Sequence, residues 1–526
     1  MTHDRFMPAL LPGILELTRR ARYFSFYAFL LAEYRARRFP ADTGSLSAFL
    51  KRREWELGLA VLRCPDGCGS SPVGARRLGS LAQRLGPFPR GESVESALGG
   101  YGLYYRSPMI DLGLVARSGT LLGETPIPID VLHDSDRARR LADTFRDAVR
   151  HTAYYKSAML LASDLPADVI DEYAAAACLC RLPELPDELA AVHDALFGTD
   201  PPGGPATTAG NSATSPGAIT GSADDAVEAD GGVIQRRRSV GHFLTLVDAR
   251  PAVAGSEHAY RDAMWEPVTG RNDGHARVAG QWAALIAKDV WQEAICSVWS
   301  EFCRQGLARG HAEGRGLTWE EAREVAAGLV TGLPRLDASA PVTGLAAQLS
   351  GQSAPAGAAP SVPTLSALSM DELRQYTAEA DTAASGLVVL LELDRRAQAR
   401  SGAGWQQASR LAGAWQPSLA SVLAALHAHL ESSPSAGETL WWLVSRFVMP
   451  VHERIAYSKL PEFTFRFRWE EGLLRFYDLG VGRFTLAAIR RQPLGSLTRD
   501  LGLWDDSSGT ASLTARGQAF AQEALA

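Results

Sequence analysis

Apolar residues recur at helical spacing over most of this chain. Between Trp282 and Cys303, the positions Trp291, Ile295, Val298 and Phe302 keep the three-to-four-residue interval that lines one face of a helix. Two helix starts are spelled out by capping boxes. Thr318 is followed three residues later by Glu321 in "LTWEEAREVAAGL", and Ser369 by Glu372 in "LSMDELRQY". In each, the hydroxyl and the carboxylate can satisfy each other's orphan backbone donors.

One stretch changes period. In "EFTFRFRWEEGLLRFYDLG", Phe463, Phe465, Phe467 and Trp469 alternate with Thr464, Arg466, Arg468 and Glu470. That is period two, and predicts a strand with one aromatic and one polar face. Glu471-Gly472 offers a turn and Leu473 to Tyr477 a returning strand, with Arg475 as a neighbour across the ladder. Arg466 and Arg468 then either grip phosphates or form a solvated face that protects a strand edge.

The opening "LTRRARYFSFYAFLLAEYRARRF", Leu17 to Phe39, sets an apolar block, Tyr23 to Ala32, between arginines. Crossing a bilayer takes about 20 apolar residues, and an interfacial helix needs a polar face that this block lacks. It therefore reads as a core helix. Arg19, Arg20 and Arg22 crowd its N-terminal end, where the helix dipole disfavours positive charge. They need carboxylates such as Glu16, or an anionic partner. Arg22 is expected to be buried against Phe26 and paired with a carboxylate.

Two segments lack large apolar residues and are rich in Gly, Pro, Ser and Thr: 199–232 and 333–363. Neither can bury enough surface to offset its ordering entropy, so both are expected to be linkers, the first one disordered. They divide the chain into an N-terminal helical domain, 1–198, a middle helical domain, 233–332, and a helical region ending in the hairpin, 364–482. A C-terminal module, 483–526, follows. Arg236, Arg237 and Arg238, just after the first linker, read as a solvated charge run at a helix N-terminus.

Length supports several domains, since 526 residues exceed what one core organises. A net charge of −6 argues against a nucleic-acid field over the whole molecule, so any such contact is local. No secretory leader or membrane span is read, and the expected compartment is the cytoplasm. No phosphate-binding loop, nucleophile elbow or His-Glu-x-x-His motif is present. The six cysteines include Cys64-x-x-x-Cys68 in "RCPDGCGSSP" and Cys178-x-Cys180 in "YAAAACLCRLP". The first pair departs from the usual two-residue zinc spacing and the second reads as part of a buried helix, so no cofactor is expected. An enzymatic alternative is a helical metal-dependent phosphohydrolase using His151, His193, Asp194 and Asp248, in the order such enzymes place their ligands.

The C-terminus reads "RFTLAAIRRQPLGSLTRDLGLWDDSSGTASLTARGQAFAQEALA": an apolar-periodic helix, a short helix ending in Leu501-Gly502-Leu503, a turn, and a last helix. This order resembles the later part of a winged-helix domain. "MIDLGLVARSG…DVLHDSDRARRLADTF", within 94–150, has the same order around Asp111-Leu112-Gly113-Leu114. The resemblance implies that Arg490, Arg491, Arg499 and Arg516, with Arg466 and Arg468 of the hairpin, are the residues best suited by type to meet a nucleic-acid backbone.

Pro12, Gly13, Thr18, Arg22, Tyr23, Phe24, Ser25 and Phe26 stand at a spacing similar to the start of a group of bacterial defence-associated proteins. That resemblance implies a component of an anti-phage multi-protein system, with a helicase or nuclease subunit among its partners, and supplies no catalytic residue. The expectation is thus a mainly α, multi-domain protein with a late β-hairpin and winged-helix-like modules. Its role is a non-enzymatic adaptor or sensor that binds DNA or a partner protein. A purely structural scaffold subunit is the third reading.

Overall fold

The computed structural model describes residues 3–122, 124–198, 231–268, 273–332, 341–342, 344, 365–413, 416–480 and 486–526. The segments read as linkers lie outside them, save Gly231, Gly232, Pro341, Val342 and Gly344. The structure is mainly helical, 65% helix against 5% strand, and divides into two compact units. Among the described residues no helix is long and apolar enough to cross a membrane.

The first unit comprises Leu11–Ala254 and Ala488–Ala526. Its N-terminal part runs through α1 (Arg22–Ala36), α2 (Thr43–Leu62) and α3 (Arg106–Asp111) to four short strands. These are β1 (Val115–Ala116), β2 (Leu121–Leu122), β3 (Thr125–Pro126) and β4 (Val131–Leu132), with β1 paired to β4 and β2 to β3, both antiparallel. Then come α4 (Asp136–Val149), α5 (Ala167–Ala177), α6 (Pro186–Phe197) and α7 (Gly232–Ala249). As its composition predicts, α1 is buried on almost every side, Tyr23 to Leu31 without exception. It packs mainly on α4, and Tyr23, Tyr27 and Tyr105 form a stacked and tilted aromatic cluster beside it.

The second unit comprises Met1–Leu10 and Gly255–Ala487. Its spine is α9 (Asp273–Glu313), a helix of 41 residues that follows α8 (Glu257–Trp265). Around it lie α10 (Trp319–Gly328), α11 (Met370–Ala380), α12 (Ala383–Gln398), α13 (Ala403–Ser409) and α14 (Met449–Ser458). Trp282, Trp291, Val298 and Phe302 of the periodic stretch are core residues of this bundle. The backbones of α9 and α12 approach so closely at Gly386 that a Cβ there would stand 2.5 Å from the Ala294 carbonyl. Both expected capping boxes form, at Thr318/Glu321 and Ser369/Glu372.

The hairpin also forms, as β5 (Phe467–Glu470) and β6 (Leu473–Phe476) in antiparallel register, with Arg468 opposite Arg475. Glu471 and Gly472 both take positive φ, 51° and 80°, the geometry of a two-residue turn matched to strand twist. Glu470 lies 3.8 Å from Arg468 and 3.6 Å from Arg475, offsetting their mutual repulsion.

His452 of α14 anchors the hairpin: its Nε2 accepts the Arg466 backbone N–H at 3.0 Å, a role open only to the neutral ring. Burial and the nearby Arg466 charge push its pKa down to about 4. The folded state therefore binds fewer protons than the unfolded chain between about pH 6.5 and 4, and stability falls with acidification across that window. We expect the melting temperature of the second unit to drop over this range, and less so in His452→Gln, whose amide oxygen can still accept the bond. Equal slopes for both proteins would remove His452 from the account.

The chain then returns to the first unit through α15 (Arg491–Asp500), β7 (Trp504–Asp505), β8 (Ser512–Leu513) and α16 (Ala515–Leu525). This changes the division read from the sequence. The C-terminal module does not stand apart, and α7, assigned to the middle region, packs with it. The reason is apolar: α16 presents buried Phe520, Ala521, Ala524 and Leu525, and the last two meet α7 at Gly241. Residues 255–332 and 365–480 likewise share one unit instead of two. The helix expected from Arg483 is not present over 486–490, where the chain is irregular and Arg490 adopts φ 56°.

Candidate functional site

Two segments of the first unit, 389 positions apart, have the same local architecture. In each a helix runs into Asp-Leu-Gly-Leu, Asp111–Leu114 in one and Asp500–Leu503 in the other. Gly113 and Gly502 take φ 69° and 65°, the left-handed conformation that ends a helix at little cost only for glycine. The Gly113 N–H then bonds the Ile110 carbonyl and the Leu114 N–H that of Met109, at 2.9 and 2.8 Å. Gly502 to Arg499 and Leu503 to Thr498 repeat the pattern, both at 2.9 Å. This is the Schellman arrangement of a helix C-terminus, twice.

The match continues into the hairpins. Val115 pairs with Leu132, and the His133 N–H bonds the Leu114 carbonyl at 2.8 Å. Trp504 pairs with Leu513, and the Thr514 N–H bonds the Leu503 carbonyl at 3.1 Å. The helix after each hairpin packs on a long helix from earlier in the chain, α4 on α1 and α16 on α7. The two aspartates also have related surroundings. Asp500 Oδ2 accepts Arg20 Nε and the Ala21 N–H, each at 2.9 Å, at the start of α1. Asp111 is lifted above the usual carboxylate range by burial, partly countered by the charges of Arg490 and Arg236.

The arginines singled out by sequence are mostly committed to the protein itself. Arg490 is only 7% exposed and gives Nη1 to the Leu11 carbonyl at 2.8 Å. Arg491 Nη1 bonds the Ala254 carbonyl at 2.8 Å, and Arg499 pairs with Asp506 beside the Trp504 ring. Burial lowers the pKa of Arg516. In the other unit, Arg466 Nη1 bonds the Gly480 carbonyl at 2.6 Å, and Arg468 lies over the rings of Tyr457 and Phe465. Arg236 is not on a solvated face. It is buried, with Nε on the Leu196 carbonyl and Nη1 on that of Pro12.

The alternative metal ligands are not brought together. His193 packs edge-on to Phe197 and Phe520 and is held neutral, its pKa lowered to about 4 by burial and then by Arg516 and Arg237. Asp194 lies 3.7 Å from Arg137, while His151 and Asp248 are exposed. Among the described residues, the His, Cys, Asp and Glu side chains that do converge, three or more together, are Cys64, Cys68, Cys178 and Cys180. The Cys178-Cys180 pair is not inside one α-helix: α5 stops at Ala177, Cys178 is extended, φ −54°, ψ 139°, and Cys180 lies in the 3-10 turn Leu179–Glu184. Compared with protein-family models, curated proteins and solved structures, the chain finds no match.

Proposed function

We propose that the chain is a non-enzymatic adaptor or sensor built on two winged-helix-like modules, working as a component of a multi-protein system of the anti-phage defence type. The doubled helix, Asp-Leu-Gly-Leu turn, hairpin and helix supports the module reading. In a winged helix, the helix before the wing is the one that can enter a major groove. Here α15 turns Leu494, Leu497 and Thr498 inward and spends Arg490 and Arg491 on backbone carbonyls. That commitment of α15 is the observation that favours a protein partner over duplex DNA. The step from fold to role is by analogy.

Duplex binding by the full chain, titrated from about 50 to 200 mM salt, tests the choice. We expect no affinity that falls steeply with salt. Salt-steep binding weakened by Arg499→Ala would replace the partner-protein reading with a DNA-binding one. Purification of the tagged chain from its native host at native expression should yield a stoichiometric companion, a helicase or nuclease subunit being the class expected. A chain recovered alone would remove the adaptor reading.

A further inference from the structure

We infer that Cys64, Cys68, Cys178 and Cys180 form a closed, four-thiolate Zn²⁺ site that ties the end of α2 to the end of α5. The Sγ atoms of Cys64 and Cys180 lie 3.6 Å apart, those of Cys68 and Cys178 3.6 Å, and those of Cys178 and Cys180 3.3 Å. All four lie within 4.8 Å of one another. A tetrahedral zinc with Zn–S bonds of about 2.3 Å sets its sulfurs about 3.8 Å apart. A disulfide would need about 2.05 Å. The thiols thus stand at separations close to those a tetrahedral zinc requires, brought together from two segments 110 residues apart.

Local backbone geometry delivers the sulfurs. After α2 the chain turns through Cys64-Pro65-Asp66-Gly67-Cys68-Gly69, where Gly67 and Gly69 take φ 57° and 63° and the Gly67 N–H bonds the Cys64 carbonyl at 3.0 Å. Those left-handed positions let two cysteines with three intervening residues face the same point. On the other side, the extended Cys178 followed by a 3-10 turn, Leu179–Glu184, brings two cysteines with one intervening residue to one side of the backbone. Arg181 and Asp66 form an ion pair that joins the two loops at 2.5 Å.

Polar groups frame the sulfurs. Backbone N–H groups of Ser70 and Cys180 address the sulfurs of Cys68 and Cys178. Ser70 Oγ lies 3.2 Å from Cys68 Sγ and is itself held by Arg20 Nη1 at 2.9 Å, while Arg22 Nη1 fixes the Cys178 carbonyl at 2.6 Å. These are the outer contacts that orient metal ligands. Arg20 and Arg22, two of the three arginines that crowd the start of α1, thus reach this cluster. A cation bound by thiolates displaces their protons, so affinity should weaken as pH falls. Four protein ligands fill a tetrahedral zinc and leave no position for a substrate or water, so the role is structural.

The test is metal analysis of the full-length chain purified without added metal. We expect one zinc per chain. Replacing it with Co²⁺ should give the intense thiolate charge-transfer and tetrahedral ligand-field bands of four-sulfur coordination. Cys180→Ser should lose the metal, and Cys296→Ser, whose thiol lies in α9 of the other unit, should keep it. If Cys180→Ser does not fold, titration of the wild-type chain with a mercurial reagent decides instead, by releasing the zinc as four thiols are modified. Freely reactive thiols with only trace metal, a pair of disulfides, or iron in place of zinc would each overturn the assignment.

Discussion

Arg22→Met is expected to lower the unfolding free energy of the first unit by about 3–5 kcal/mol, the cost of leaving one member of a buried ion pair uncompensated. Arg22 and Glu188 are 0% and 1% exposed. The guanidinium reaches both carboxylate oxygens, Nε to Oε1 at 3.0 Å and Nη2 to Oε2 at 2.9 Å, and Ser25 Oγ donates to the same group at 2.5 Å. Methionine matches the stem of arginine but leaves the buried Glu188 carboxylate without its cation. The double variant Arg22→Met, Glu188→Leu removes both charges and should recover most of the loss, because replacing a whole buried pair by apolar side chains is often close to neutral. Urea unfolding followed by circular dichroism measures both. A single variant within about 1 kcal/mol of wild type would show that Glu188 is not dependent on Arg22.

The first half of this arrangement was legible in the sequence and the second was not. Three arginines at the start of an apolar helix conflict with its dipole, and that conflict alone predicts that Arg22 is buried and paired. The partner lies 166 positions away, and the ring beneath the guanidinium is Phe145 instead of Phe26. Arg20 likewise answers to Asp500, far along the chain, while the near carboxylate Glu16 lies 3.8 Å from Arg19. Local grammar carries further: capping boxes, the Glu471-Gly472 turn and both Asp-Leu-Gly-Leu exits depend on residues within six positions of one another, and all form.

The thiol cluster failed to read for a related reason. Four alanines precede Cys178, good helix formers with no Gly or Pro until Pro183, so nothing local marks the helix end at Ala177. Once that pair is placed on a helix, it cannot face Cys64 and Cys68. The division into units escapes a composition-based reading too. Low-complexity stretches show where a chain can be cut, whereas the joining of α16 to α7 is decided by which apolar faces fit.

Gly517→Ala should test how closely α16 meets the turn after α15, with a loss of about 3 kcal/mol, the upper part of the usual range for forcing atoms into a packed core. By propensity the change ought to help, since alanine is favoured over glycine inside a helix by about 1 kcal/mol. The structure reverses the sign. A Cβ on Gly517 would stand 1.8 Å from the Leu503 carbonyl oxygen, backbone against backbone, so no side-chain rotation relieves it. The same carbonyl accepts the Thr514 N–H, and the Thr514 hydroxyl caps α16 through the Gly517 N–H at 3.1 Å. Shifting the helix would therefore strain its cap and its hairpin together. The matched position in the other module is Ala138, three residues past the cap Ser135 of α4. There the cap lies two residues farther from the returning strand than Thr514 does, which gives α4 room for a methyl group that α16 lacks. Thermal unfolding and amide exchange over 515–525 report the outcome. Unchanged or increased protection of α16 in Gly517→Ala would mean that the two modules do not differ in how closely the helix meets the turn.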